Sequence, residues 1–172
     1  MAVISAWPLP EGIKSVEVNG YPMAYQESGS GTPLVLVHGS MNDYRCWNFQ
    51  IPAFTAHYRV LAVSLRHYFP EPWDGQGDDF SIPQHADRPE ARPSVSCETI
   101  GKFRFPNLML TGETSPDRFG QMLRAMRDCL PGSVGEATII PNAAHGMNRD
   151  NPKAFNAAVL AHLQHYALTH MY

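Results

Sequence analysis

The residues best suited to chemistry sit in short loops. His145 lies in Pro141-Asn142-Ala143-Ala144-His145-Gly146, flanked by small residues directly after an apolar stretch. An imidazole presented there takes up and releases protons near neutral pH, as a general base must. Gly39-Ser40 follows the apolar run Pro33 to Val37; Gly39 has no β-carbon, so a ligand can approach the backbone closely. Ser40, Ser64 and Cys97 are the candidate nucleophiles. Each also has a structural role open to it: Ser40 in a tight turn, Ser64 satisfying backbone at a strand end, Cys97 as inert packing. Glu113, beyond the run Asn107 to Leu110, is the candidate carboxylate partner of His145. Ser115 reads instead as a helix N-cap and Asp117 as a first-turn acid that suits the helix dipole. His162, His165 and His170 crowd the C-terminal end, but no acidic or cysteine ligand joins them at metal-site spacing, so no metal is expected.

The elements that must position these loops follow from local patterns. Val16 and Val18, then Tyr21, Met23 and Tyr25, alternate with their neighbours on either side of Asn19-Gly20, which predicts a hairpin. Pro33 to Val37 is an unbroken apolar run too short for a helix and reads as a strand covered on both faces. A helical stretch from Asn42 or Asp43 carries Trp47 and Ile51 until Pro52 disrupts it. Arg59 to Leu65 is a second buried-type strand. Residues 66–93 contain five prolines, two glycines and six acids against three arginines, so regular structure is not expected over most of them. Asn107 to Leu110 resumes a strand pattern, and Ser115-Pro116 opens a helix with Phe119, Met122, Leu123 and Met126 on its apolar stripe. Ala137 to Ile140 is a last short strand before the His145 loop. A closing helix is capped by Asp150 or Asn151, with Pro152 in its first turn and Phe155, Val159, Leu160 and Leu163 on one face. Strands alternating with helices after a hairpin predict an α/β fold with a mostly parallel sheet and flanking helices.

Taken in order, the hairpin, the apolar strand, His38-Gly39-Ser40, the Trp47 helix, the strand before Arg66, Leu108-Met109-Leu110-Thr111-Gly112-Glu113 and the His145 loop resemble the α/β-hydrolases, a superfamily that includes serine esterases and lipases. The resemblance covers residues 13–87 and 98–168. It implies that His145 is the catalytic base and that Gly39 and Ser40 lie at the oxyanion turn. It also implies that the strand ending near Glu113 is the one that delivers the acid. The departure is equally plain: GxSxG, the nucleophile elbow of that superfamily, occurs nowhere in the chain. The central strand, elbow and lid are expected to be absent as one block. The organisation expected is a single domain spanning 1–172, with an N-terminal half at 13–87, a junction at 88–97 and a C-terminal half at 98–172.

Composition narrows the functions further. The chain has 172 residues, a net charge of −3 and only three lysines, too little basic surface to neutralise a nucleic-acid backbone. No apolar run approaches the eighteen residues of a membrane span, and the start lacks the basic flank of a secretory signal. Three widely spaced cysteines argue against a disulfide framework and for a reducing cytoplasm. The expectation is a cytoplasmic carboxylic-ester hydrolase acting on a small-molecule ester without cofactor. His145 would be its base, and its nucleophile would be of a non-standard kind. The alternative is a catalytically inactive α/β-hydrolase-like binding protein or an internal-deletion product, with a homodimer covering the sheet edges that the missing strands expose.

Overall fold

The structure is a computed structural model. It describes residues 7–18, 20–39, 41–72, 96–103, 105–130 and 137–169, with residues 167–169 described by backbone alone. Ser40, His170 and most of the junction lie outside the described residues. The chain divides into two compact units, Met1–Pro93 and Ser94–Tyr172, and the division falls within residues 88–97.

In the first unit, β1 (Ile13–Val18) and β2 (Tyr21–Ser28) form the antiparallel hairpin. Gly20 holds φ +76° in the connection, a conformation that glycine adopts without a β-carbon clash. β3 (Pro33–Val37) and β4 (Arg59–Val63) complete a four-stranded sheet of order β1-β2-β4-β3, in which β4 runs antiparallel to β2 and parallel to β3. One sheet face carries Ala24, Leu36, Val60 and Ala62, which are buried together with Tyr44 and Phe54 from the β3–β4 connection. Phe54 is 1% exposed, and burial of a side chain of that size stabilises by about 1.5–3 kcal/mol.

Two expectations change here. The connection is two short pieces, a 3-10 turn at Tyr44–Trp47 and α1 at Ile51–Phe54. Asp43 caps the first, its carboxylate accepting from the Arg45 N–H at 2.9 Å. Pro52 stands in the first turn of α1, where its missing N–H costs no hydrogen bond, so it opens a helix instead of breaking one. β3 is not covered on both faces: it ends the sheet order, and Val35 and Val37 are each 55% exposed. An apolar run records burial potential, but whether a second layer arrives is decided elsewhere in the chain.

The second unit contains α2 (Cys97–Ile100), β5 (Leu110–Gly112), α3 (Asp117–Cys129), β6 (Thr138–Ile140), α4 (Met147–Asp150) and α5 (Pro152–Thr169). β5 and β6 pair in parallel, Leu110 with Thr138 and Gly112 with Ile140. The expected strand at Asn107 to Leu110 thus begins later, because the ladder extends only as far as β6 can partner it. Ile100, Leu130, Ile140 and Ala143 are buried. On α5, Phe155, Val159, Leu160 and Leu163 are half-buried while Ala157, Ala161 and Gln164 are exposed, as the apolar stripe requires. The Asn151 side chain accepts from the Ala154 N–H at 3.2 Å, which settles the cap. α3 departs from its pattern: Met122 and Met126 of its apolar stripe are 59% and 41% exposed, and none of its residues is buried.

Cys97 and Cys129 form a disulfide, with Cα atoms 5.0 Å apart, contrary to the expectation from cysteine count. Spacing along the chain does not reveal that the start of α2 and the end of α3 meet. Hairpin, parallel pairings and helices together make a mixed α/β fold. No described helix is long and apolar enough to cross a membrane.

Candidate functional site

The His145 loop is tied down along its length within the second unit. It leaves β6 at Ile140, whose carbonyl accepts from the Glu113 N–H at 3.0 Å. The Asn142 N–H donates to Glu113 Oε2 at 2.8 Å. The Ala143 carbonyl accepts from the Thr114 N–H at 2.9 Å and from its hydroxyl at 3.1 Å. The Ala144 N–H donates to Asp150 Oδ2 at 2.9 Å, and the Asn151 amide donates to the Pro141 carbonyl at 2.9 Å. A β-carbon on Gly112 would lie 2.1 Å from the Ala144 oxygen and 2.4 Å from that of Ala143. Only glycine at the end of β5 lets the loop cross so closely. Asn142 takes φ +53°, a left-handed conformation that asparagine tolerates better than most residues.

The ring that this loop carries is exposed and lies face to face with Phe119 of α3, centroids 3.9 Å apart and planes 9° from parallel. The Arg118 guanidinium sits 4.9 Å from the same phenyl centroid. Stacking is therefore what orients His145. Glu113 stands in the adjacent loop, but its carboxylate accepts from the Asn142 N–H and makes no hydrogen bond to the imidazole among the described residues. Ser115 is not the N-cap: its hydroxyl accepts from the Gly112 N–H at 3.2 Å, and Pro116, which has no capping side chain, takes that position. Asp117 lies in the first turn of α3, as the dipole argument expects.

The first unit holds the His38-Gly39 turn at the end of β3. His38 is 4% exposed, its Nε2 accepts from the Leu65 N–H at 3.0 Å, and its Nδ1 stands 2.8 Å from the Gly39 oxygen. Those partners assign the ring proton to Nδ1. Tyr68 packs edge-on against the ring at 4.8 Å, and its hydroxyl accepts from the N–H of Met41, which is 93% exposed and has φ +63°. The turn bearing Tyr68 is anchored on β2: the Tyr21 hydroxyl donates to Glu71, and His67 Nδ1 lies 3.0 Å from Glu71 Oε1. Burial, with the Glu71 bond adding to it, pushes the Tyr21 phenol well above its ordinary range. At Gly39 a β-carbon would meet nothing within 4 Å, so no described neighbour requires glycine there.

The nucleophile candidates separate. Ser64 is 2% exposed and its hydroxyl accepts from the Tyr44 N–H at 3.2 Å, a structural role. Cys97 has no thiol to offer, being held in the disulfide. Ser40 lies outside the described residues. Sequence patterns did not point to Phe119, Asp150 or Asn151 as supports of the His145 loop, because each contact depends on tertiary approach and not on periodicity. Among the described residues, no three His, Cys, Asp or Glu side chains converge to hold a metal ion.

No family model matches the chain. It is 45% identical over 49 residues to the soluble epoxide hydrolase of Corynebacterium sp. (strain C12), covering 28% of this chain and 17% of that protein. It is 36% identical over 90 residues to the dihydrolipoyllysine-residue acetyltransferase component of the acetoin cleaving system of Pseudomonas putida, covering 51% of this chain and 21% of that one. The chain thus spans about a fifth of the length of these curated relatives. Among solved structures, a bromoperoxidase from Bacillus anthracis aligns with a TM-score of 0.64 at 16% identity, over 88% of this chain and 99% of that one. A CIB-like hydrolase from Thermoplasma acidophilum aligns at 0.69 and 14%, over 89% and 97%. The carboxylesterase CesB of Bacillus subtilis aligns at 0.65 and 14%, over 91% and 93%. At these identities the likeness speaks to architecture, and the architecture of this chain is the α/β-hydrolase fold.

Proposed function

We propose that the chain is a hydrolase that cleaves a small carboxylic ester with His145 as general base. The observation that carries this reading is the His145 loop itself, anchored from both sides and ending in an exposed imidazole. Rigid support under a solvent-facing base is what proton transfer requires, because the base must hold its geometry while its charge changes. Its neutral nitrogen accepts a proton from an attacking oxygen as that oxygen bonds to the ester carbonyl. The imidazolium then returns the proton to the departing alkoxide as the C–O bond breaks. The attacking oxygen is that of an activated water or of a serine hydroxyl, for which Ser40 is the sequence candidate; an acyl-serine so formed is then released by a water that the same imidazole deprotonates. Gly39, with open space where a β-carbon would be, suits close approach of a carbonyl to the backbone.

A second reading, a non-catalytic binding protein, draws on the engagement of Glu113 with the Asn142 N–H, since His145 then lacks the carboxylate that orients the base in acyl transfer. A short-chain activated ester separates the two. The hydrolase reading expects turnover in the parent chain that falls at least about a hundredfold in His145→Ala; equal turnover in both, or none in either, would overturn it. Labelling with an active-site phosphonate then distinguishes the oxygens. Modification at Ser40 identifies a serine nucleophile, whereas turnover without a labelled residue assigns the water.

A further inference from the structure

A cleft of about 120 Å³ opens between α3 and the β5–β6 pair, on the sheet face that bears Thr111 and Ile139. The helix presents Gly120, Leu123, Arg124 and Arg127 to it, positions one turn apart on a single stripe. An ordinary helix–sheet contact fills such a gap with large apolar side chains. Here Gly120 contributes no side chain, and the two methionines of α3 face largely outward. The cleft is consequently lined by apolar side chains together with the two arginines, and none of its described lining residues is acidic.

The two arginines differ. Arg127 is half-buried and bonded to Asp128 at 3.3 Å. Arg124 is exposed and has no hydrogen bond or ion pair among the described residues. Its Nη1 would lie 3.3 Å from a β-carbon on Gly120, so the guanidinium folds back along its own helix over the position that glycine leaves empty. A planar cation with no partner among the described residues, beside a small apolar hollow, has the complementarity of a carboxylate carrying a short hydrocarbon tail. The volume holds a chain of about four to six heavy atoms.

We propose that this cleft binds a small aliphatic carboxylate, with Arg124 holding the carboxylate and the Thr111–Ile139 face covering the tail. The proposal does not depend on the ester-hydrolase reading, because every residue it uses is remote in role from His145 and binding is measured without turnover.

The probe is butyrate, titrated calorimetrically into the full chain, with butan-1-ol and chloride as controls. Saturable butyrate binding is expected, with neither butan-1-ol nor chloride binding comparably. Arg124→Gln, a surface change that leaves packing intact, should weaken binding at least about tenfold, the loss expected for a charge-assisted hydrogen-bonded pair. Ala137→Leu, which fills the hollow and leaves both arginines in place, should do the same. Absence of saturable binding overturns the proposal, as does affinity unchanged by Arg124→Gln. Chloride binding as tightly as butyrate, or affinity surviving Ala137→Leu, would equally refute the aliphatic carboxylate site.

Discussion

Two histidines show how differently the same side chain is used in the two units. His38 is buried, with both ring nitrogens engaged by backbone groups and an edge-on tyrosine against it. His145 is exposed, has no hydrogen bond among the described residues, and is held by one stacked phenyl ring. In each case the surrounding backbone is firmly tied. The first ring is itself one of the ties, closing the end of β3 onto the segment after β4, whereas the second is what its ties support. A histidine whose nitrogens are both occupied stabilises the fold; one whose loop is rigid and whose nitrogens are open is available for chemistry.

That contrast can be broken most directly at His145. Replacement by alanine should cost ester turnover a factor of about 10² to 10⁴ while changing stability by no more than about 1.5 kcal/mol, the loss of the Phe119 stack, as read by initial rates and by thermal denaturation. Equal losses in both measurements would make His145 a second structural histidine. Reducing the Cys97–Cys129 disulfide comes next. The two cysteines are 32 residues apart, and the chain-entropy model gives a destabilisation of roughly 3.5 kcal/mol, measurable as a lower denaturation midpoint under reductant. The His38 bonds lie outside the loop that disulfide closes.

His38→Ala should lower stability by about 2–4 kcal/mol, because the Leu65 N–H and the Gly39 carbonyl lose their buried partner. Urea denaturation reads this, and a loss below about 0.5 kcal/mol would show that the ring is dispensable to the fold. The smallest effect is expected at Phe119. Leucine there removes the stacked ring but keeps the bulk, for a stability change of about 0.5–1.5 kcal/mol. The ring-current displacement of the His145 proton resonances should disappear with it. Resonances that stay displaced would mean that another group orients the imidazole.

The α/β character, the Asn19-Gly20 hairpin position, the Pro33 to Val37 strand and the closing helix, with its cap narrowed to Asp150 or Asn151, were all legible in the chain. Each depends on neighbours within a few residues: turn chemistry, alternation, capping, the 3.6-residue period. The His145 loop was legible for a similar reason, since its small flanking residues mark a tight loop after a strand. The site's supports were not. Gly112 looks like any strand-end glycine until the Ala143 and Ala144 carbonyls are seen to pass within about a van der Waals radius of its missing β-carbon. Ser115 had the composition of an N-cap and instead bonds the Gly112 N–H, because the tight turn after β5 brings that donor within its reach.

What the amino-acid order determined by itself is thus the set of elements and the loops between them, because short-range sterics and hydrogen bonding act on adjacent residues. Tertiary structure alone decided that β3 would be an edge with one bare face, that α3 would stand on a partly hollow contact, that Cys97 would meet Cys129, and that Phe119 rather than Glu113 would touch the His145 ring. Those outcomes depend on which distant segments arrive at a surface. Apolar character and periodicity specify that a face seeks a partner without specifying which one comes.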